Sequence, residues 1–307
     1  MNAQASVTTT TWSGGRKVAF AILAAAYGLL LVSPLSLLPY AVIGWLLTGN
    51  GTSHRVHEVS IGVIFLISLI GVLAQVRSTA AKVAPMQQVA VPILVLIIIE
   101  LLVNGIGPDT GFLFLLFGVS PVLLAILHPS RRQVFKPTPR PSRTLLTMAV
   151  LLAIPALIFA VAQIRAGVEA AELGAPVFAQ LEIADDATPA EFEQAISEIF
   201  DDLGVPEEQR ETIQHSGHWS AMAAFAIGLV ILAFLVAIRV VGFRVTAWSV
   251  GAAVAYYGIV SLATPDDASS AGLGGILCLL WGAVFIAFAE RETRPASVAG
   301  EKLARTA

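Results

Sequence analysis

Eight long apolar runs, separated by polar stretches, constrain the fold of this chain more than any other feature. The runs cover residues 18–48, 59–76, 88–104, 112–128, 145–163, 219–240, 247–264 and 274–289. A helix needs roughly 20 apolar residues to cross the ~30 Å hydrocarbon core of a bilayer, and most runs approach or exceed that length. With 56% hydrophobic and 13% charged residues, the composition lies outside that of soluble globular proteins. The sequence therefore predicts an all-α, polytopic membrane protein with about eight transmembrane helices.

The first run is much longer than the others. Arg16 and Lys17 precede it as in a secretory signal peptide, but the apolar residues continue to Leu47 without a cleavage-site pattern. A straight helix over 18–48 would reach ~46 Å, which exceeds the thickness of the hydrocarbon core. Pro34 and Pro39 are therefore expected to kink this span.

Basic residues collect on alternate loops, and this pattern predicts the orientation of the chain. With the N-terminus inside the cell, fifteen of the 18 lysines and arginines fall in inner segments, and only Arg55, Arg165 and Arg210 fall in outer ones. Seventeen of the 21 acidic residues fall in outer segments. Because cytoplasmic loops carry an excess of lysine and arginine, both termini are predicted to be cytoplasmic, with the protein in the plasma membrane.

A basic, proline-rich stretch divides the chain into two four-span halves. Residues 129–144 combine basic residues with four prolines, which favours an extended cytoplasmic linker. The basic residues at 131–143 also predict contact with anionic lipid, because such clusters beside a span attract the anionic cytoplasmic leaflet. The predicted organisation is a cytoplasmic tail at 1–17, the first half at 18–128, this linker, the second half at 145–289 and a cytoplasmic tail at 290–307.

One sizeable polar segment interrupts the second half. Residues 164–218 are acidic and are predicted to form an extracytoplasmic helical cap. Thr188-Pro189-Ala190-Glu191 is typical of a helix start, Gly204 suits the helix end, and a second helix is predicted from Pro206 to about Ile213. We expect the first helix to rest its apolar stripe on the membrane surface or on the span ends. The stripe consists of Phe192, Ile196, Ile199, Phe200 and Leu203.

The two halves share a weak internal pattern. His57 opens the second span and His218 opens the sixth, and Arg77 and Arg239 follow them by twenty and twenty-one residues. Pro-Asp pairs at 108–109 and 265–266 also occupy corresponding outer loops. With an even number of spans per half, a duplication would give a 4+4 parallel repeat about an axis along the membrane normal. The alternative is a chance likeness, because apolar helices align readily with one another.

Four of the five histidines form two His-x-x-His pairs at the outer starts of spans, and His128 is predicted to be an interface residue. The positive potential of a helix N-terminus favours neutral imidazole, the form that binds a transition metal or haem iron. For haem or another cofactor, the predicted ligands are His57 and His218. The predicted metal ligands are His54, His57, Glu58, His215 and His218. One alternative is that these histidines are polar anchors beside Trp219, and another is that they relay protons or substrate.

Glu100 is the only acidic residue within an apolar run, about one turn below the outer end of the third span. A carboxylate inside a membrane is costly, and it usually marks a functional site with a polar partner. His57, His218 and Asn104 are the candidate partners, so Glu100 and Asn104 are predicted to be buried polar residues below the histidines. Alternatively, Glu100 extends towards the interface and only bonds a neighbouring helix.

Motifs of several enzyme classes fail on inspection. His57-Glu58 begins a zinc-protease motif, but Ile61 stands where the second histidine belongs. The glycines at 272–275 follow no strand, so they do not form a dinucleotide-binding loop. Cys278 is the only cysteine, which excludes an intrachain disulfide and cysteine-based zinc sites. No catalytic residue is assigned, and nucleic acid is not an expected partner.

Three classes of function fit these features. The first is metal or haem binding at the extracytoplasmic face between the halves, for redox work or as a subunit of a larger membrane complex. The second is a secondary transporter or channel for a small solute or ion, which fits Glu100 and the prolines within spans, although few polar residues are present to line a path. The third is a structural or assembly subunit.

Overall fold

The described part of the chain is almost entirely helical. A computed structural model describes residues 13–33, 55–76, 78–136, 140–181, 189–214, 216–264 and 272–293. A 3₁₀ turn lies at Thr79–Ala81, a π-helical turn lies at Phe114–Gly118, and these residues contain no strand. In chain order the helices are α1 (Gly14–Val32), α2 (Arg55–Ala74), α3 (Val83–Asn104), α4 (Pro108–Leu113), α5 (Val119–Leu127), α6 (Arg131–Phe135), α7 (Arg143–Phe178), α8 (Pro189–Asp202), α9 (Glu207–Gln214), α10 (Ser216–Ala237), α11 (Phe243–Ala263) and α12 (Leu273–Thr293).

Seven helical segments of the described residues are long and apolar enough to cross a membrane. They are α1, α3, α7, α10, α11, α12 and the segment Thr110–Leu127, which combines α4, the π-helical turn and α5. Helix α2 contains a shorter apolar stretch, Val59–Ala74, where the sequence predicts the second of its eight spans. The predicted class, an all-α polytopic membrane protein, is therefore confirmed, with seven candidate spans.

Helix α10 lies at the centre of the bundle and contacts α2, α3, α7 and α11. In its apolar window 78% of the residues are buried, against 17% in α1 and 22% in α12. Helix α1 packs on α2 and α5, and α12 packs on α11 and α7. The peripheral helices expose large apolar side chains such as Ile22, Leu151 and Leu280, as contact with lipid requires.

The two ends of the bundle differ in structure. One end carries α8, α9, the start of α10 and the end of α3, and we call it the α8–α9 face. The opposite end carries the start of α1, the turn before α3, and α6, and we call it the linker face.

Helix α1 covers only the first part of the predicted first span. Helix α1 begins at Gly14, with Ser13 Oγ accepting a hydrogen bond from the backbone N–H of Arg16, and it ends at Val32. Ser33 is extended with ψ of 159°, the conformation that a residue before proline favours. Helix α1 therefore stops before Pro34, and the rest of the predicted span, 34–48, with the kinks expected at Pro34 and Pro39, lies outside the described residues.

The fifth span is longer than predicted. Helix α7 has 36 residues and runs through 164–178, which the sequence assigns to the extracytoplasmic cap. At 1.5 Å per residue it is roughly 54 Å long, so its last turns project beyond the ~30 Å hydrocarbon core. A buried stripe at helical spacing explains the continuation, because these residues pack against other helices along the whole length. The stripe consists of Gln163, Gly167, Ala170, Gly174 and Val177.

Helices α8 and α9 pack against the projecting end of α7. Ile196 and Phe200 of α8, Ile213 of α9 and Val177 of α7 form a small buried cluster. Gly204 ends α8 with a φ of 62°, as predicted for a glycine at this position. Of the predicted stripe, Ile196, Ile199 and Phe200 pack on the end of α7, Leu203 is exposed, and the side chain of Phe192 lies outside the described residues.

Part of the linker is helical, whereas the sequence predicts an extended segment, and residues 137–139 lie outside the described residues. Residues 131–135 form α6, and Gln87 Nε2 donates a hydrogen bond to the carbonyl of Val134 (2.9 Å). The backbone N–H of Ser142 donates to the carbonyl of Ala237 at the end of α10 (2.9 Å). Proline disfavours helix only at its own position and next to it. Linker residues beside the prolines can therefore donate hydrogen bonds to carbonyl groups that have no partner within the helices that end nearby.

His128 is fully buried at the linker face, whereas the sequence predicts an interface residue. It follows α5 directly, and its ring lies 6.0 Å from that of Phe20, centroid to centroid, in an edge-on arrangement. The contact with α1 therefore encloses this histidine. The position of His128 at the end of a predicted span does not by itself indicate that it is buried.

Candidate ligand-binding cleft

A cleft of about 640 Å³ opens at the α8–α9 face between α3, α4, α7 and α10. This volume lies in the range of small-molecule sites. The first predicted half contributes Glu100, Val103, Asn104, Gly107, Thr110, Phe112 and Leu113 to the lining, and the second contributes Ala171, Ala175, Phe178 and Gly217. The cleft therefore lies between the two predicted halves.

Glu100 is the acidic residue of the cleft lining. One carboxylate oxygen, Oε2, accepts a hydrogen bond from Asn104 Nδ2, one helical turn further along α3. Both residues are less buried than the sequence predicts, since Glu100 is half-buried and Asn104 is exposed. The reason is that α3 ends at Asn104, so the cleft opens to the surface at this level. The carboxylate is thus accessible to a ligand that enters from the α8–α9 face.

The turn between α3 and α4 shapes one rim of the cleft. Gly105 has φ of 72° and ψ of −163°, a conformation that residues with a side chain avoid. Thr110 Oγ1 donates a hydrogen bond back to the carbonyl of Gly105 (3.1 Å), and Pro108 begins α4. The chain therefore reverses tightly, which holds Thr110 opposite the end of α3.

A π-helical turn follows the cleft on the fourth predicted span. The turn covers Phe114–Gly118, and a Cβ atom built on Gly118 would lie 2.6 Å from Ile97 Cδ1 of α3. Glycine thus permits close packing of this turn against the helix that carries Glu100. Single π-helical turns within α-helices are frequent at functional sites.

His218 lies in the first turn of α10, directly after the cleft residue Gly217, and it is half-buried. A Cβ atom built on Gly167 of α7 would lie 3.3 Å from the Cβ of Trp219. Helix α10 therefore begins in close contact with α7. This contact fixes the start of α10, and Gly217 lines the cleft while His218 does not.

The other predicted ligands are described only in part. His57 and Glu58 lie in the first turn of α2, but their side chains lie outside the described residues, as do His54 and His215. Helices α2 and α10 are neighbours, and both begin at the α8–α9 face. Within the described part of the chain, no three or more His, Cys, Asp or Glu side chains form a group able to hold a metal ion.

The wall formed by α7 is the part of the cleft that sequence reasoning missed. Ala171, Ala175 and Phe178 line it, and all three fall in the segment assigned to the cap. A signal was available, because the buried stripe of α7 keeps its helical spacing through Gly174 and Val177. Small residues in that stripe allow α7 to approach the other helices closely.

Comparison with protein-family models, with curated proteins and with solved structures finds no match for this chain.

Proposed function

We propose that this protein is a multi-pass plasma-membrane protein that binds a transition metal ion, alone or within haem, in the cleft at its extracytoplasmic face. One observation carries the proposal. The Glu100 carboxylate lines a cleft whose lining also includes Gly217, and the imidazole of His218 follows directly in the chain. The site serves redox chemistry or makes the protein a subunit of a larger membrane complex.

The chemistry of these side chains suits such a ligand. Imidazole binds zinc, copper, iron and nickel, and a carboxylate adds negative charge that balances the cation. Asn104 Nδ2 donates a hydrogen bond to Oε2 of Glu100, and such a bond from a neighbouring side chain commonly fixes the orientation of a metal ligand. His57 and Glu58, in the first turn of α2, would supply further ligands, together with His54 and His215, which precede α2 and α10 in the chain.

The distribution of charge supports the proposed orientation. The described basic residues of the linker face outnumber those of the α8–α9 face, where Arg165 and Arg210 lie. Because positive residues favour the cytoplasmic side, the cleft is assigned to the extracytoplasmic side. The described basic residues of the linker face are Arg16, Lys17, Lys82, Arg131, Arg132, Lys136, Arg140, Arg143, Arg239, Arg244 and Arg291.

Helix neighbours support the proposed 4+4 repeat. Helix α3 packs on α10, and α2 packs on α11. In the proposed repeat, α3 (third span) corresponds to α11 (seventh span), and α2 (second span) corresponds to α10 (sixth span). A twofold rotation then turns the α3–α10 contact into the α11–α2 contact. The same rotation would relate the starts of α2 and α10, which carry His57 and His218.

The interior of α3 favours binding over transport. Between Gln88 and Glu100, roughly 18 Å apart along the helix, every buried residue of α3 is apolar. A transported ion or polar solute would have to cross this region without hydrogen-bonding partners from α3, at a cost of several kcal/mol per unsatisfied polar group. The site is therefore proposed as a binding site at one face.

A titration of matched variants tests the site. Purified wild-type protein, Glu100→Gln and Glu198→Gln are each titrated with Co²⁺, Zn²⁺ and Cu⁺, and visible absorption is recorded for bound haem. Glu198 is the control because it is an exposed carboxylate of α8 outside the cleft lining. We expect Glu100→Gln to weaken binding at least about tenfold, or ~1.4 kcal/mol, and Glu198→Gln to bind as the wild type does.

Two results would contradict the proposal. One is equal affinity of wild type and Glu100→Gln for every ion, together with equal haem content. The other is wild-type protein that binds no ion and contains no haem, which would favour a structural or assembly role.

A further inference from the structure

A second concave surface, the α2–α11 groove, lies between α2 and α11 and has a volume of about 790 Å³. Its walls are almost wholly apolar. Helix α11 lines it from Val245 to Tyr256, roughly 17 Å along the helix axis, or about the depth of one leaflet of a bilayer. Val63, Leu66 and Ile70 of α2 form the facing wall. The groove thus has the length and polarity to hold a hydrocarbon chain.

Basic side chains line the end of this groove at the linker face. They belong to Lys82 and Arg244. Lys82 is half-buried, and it makes no ion pair with any residue that the structure describes. Arg244 donates from Nε to Oε1 of Glu290 (2.6 Å), and Trp248 Nε1 donates to the same oxygen (2.7 Å). Lys82 and Arg244 carry two positive charges and Glu290 carries one negative charge, so this end of the groove has a net positive charge.

Two helix N-termini converge at the same end. Lys82 is the N-cap residue of α3, and Gly242 is the N-cap residue of α11. A Cβ atom built on Gly242 would lie 3.4 Å from the Cα of Lys82, so the two termini are in contact. The helix dipoles of α3 and α11 add partial positive charge to that of the side chains. The backbone N–H groups of Ala84 and Phe243 already donate to the carbonyls of Val241 and Val240, so the two basic side chains are the main partners for an anion.

We propose that the α2–α11 groove binds an anionic glycerophospholipid. One acyl chain lies along the apolar walls, and the phosphate lies between Lys82 and Arg244. Trp248, 50% exposed, sits beside Arg244 at the depth where tryptophan prefers the membrane interface. A transmembrane helix of another protein would match the apolar walls, but it would bring no counter-charge for the two cations.

This site differs from the predicted lipid contact at residues 131–143. Those basic residues extend along the linker and offer charge without an apolar groove. The α2–α11 groove combines both features, so it is expected to retain one lipid through purification. The lipid would come from the cytoplasmic leaflet, which is rich in anionic headgroups.

Native mass spectrometry of the full-length protein in detergent tests the proposal. Phosphatidylglycerol and phosphatidylcholine of equal chain length are added to the wild type and to two variants. Lys82→Gln/Arg244→Gln removes the headgroup contacts, and Ala252→Trp fills the groove. The matched controls are Lys17→Gln/Arg291→Gln, two exposed basic residues of the linker face outside the groove, and Ala162→Trp on the exposed surface of α7. Melting temperatures without added lipid establish that each variant is folded.

We expect wild type and both controls to retain one phosphatidylglycerol in preference to phosphatidylcholine. The charge variant should lose affinity about thirtyfold, since each basic residue near an anionic surface contributes roughly fivefold. Ala252→Trp should retain neither lipid. Equal retention of the two lipids by the wild type, or unchanged phosphatidylglycerol binding in folded charge or groove variants, would overturn the proposal. A lipid-free groove that joins two copies of the chain would overturn it as well.

Discussion

At the scale of single residues, His128 shows how a polar side chain is used inside the bundle. Its Nδ1 accepts a hydrogen bond from the backbone N–H of Ser130, so Nε2 carries the proton and donates to the carbonyl of Thr79 (3.1 Å). The guanidinium of Arg16 binds the carbonyls at the end of α5. Burial lowers the pKa of His128 to about 4, and Arg16 acts in the same direction, whereas the bond to Thr79 opposes it.

His128 should make the protein less stable at mildly acidic pH. In the unfolded chain its pKa is about 6.5, so between that value and about 4 the unfolded state binds more protons. Stability then falls as the pH decreases through this window, by at most ~1.4 kcal/mol per pH unit. Thermal unfolding in detergent between pH 7.5 and 4.5 should show a steeper loss for the wild type than for His128→Gln. Identical pH profiles would contradict this role of His128.

At the scale of helices, glycines determine how closely two spans approach. Gly251 and Gly258 of α11 face Gly282 and Gly275 of α12. A Cβ atom built on Gly258 would lie 2.5 Å from the carbonyl oxygen of Gly275, and one on Gly251 would lie 2.8 Å from that of Gly282. Small residues allow the two backbones to touch, which is a main source of attraction between helices in lipid. The seven-residue spacing within each helix places both glycines on one face.

Gly258→Leu should therefore destabilise the protein. The side chain has no space, so α12 must move away, at a cost of about 1–3 kcal/mol. Gly15→Leu is the matched control, because Gly15 of α1 has no neighbouring atom within 4 Å of an added Cβ. Thermal unfolding midpoints in detergent measure both changes. A Gly258→Leu midpoint equal to that of Gly15→Leu would contradict the close contact between α11 and α12.

At the scale of the whole molecule, the two proposed binding surfaces lie towards opposite ends of the bundle. The ligand-binding cleft opens at the α8–α9 face, and the α2–α11 groove ends at the linker face. The basic residues collect at the linker face. In the proposed orientation, the cleft opens outside the cell and the basic end of the groove lies in the cytoplasmic leaflet.

Cysteine labelling tests this orientation. Cys278→Ala removes the native thiol, and Asp186→Cys and Lys136→Cys then place single thiols on opposite sides. In intact cells a membrane-impermeant maleimide should label position 186 and not position 136, and both should be labelled after lysis. Labelling of position 136 alone in intact cells would reverse the orientation and place the cleft in the cytoplasm.

The membrane class and most spans follow from the sequence, because the length of an apolar run reflects the thickness of the bilayer. Helix ends follow less well, since single contacts set them. The residue before Pro34 ends α1, and the packing of Gly174 and Val177 extends α7 beyond its apolar run. Glu100 is identifiable as a lone intramembrane carboxylate. Ala175 and Phe178 are not, because the cleft forms only where α7 crosses the end of α3.

The central claim is one site built from both halves of the chain, with His57 and His218 as ligands. Bound metal and haem per chain, measured by elemental analysis and visible absorption of purified wild type, His57→Ala and His218→Ala, test it most directly. The account predicts about one equivalent in the wild type and its loss in either variant, because an ion at ~2 Å from each ligand needs both. Full occupancy in either variant, or none in the wild type, would contradict it.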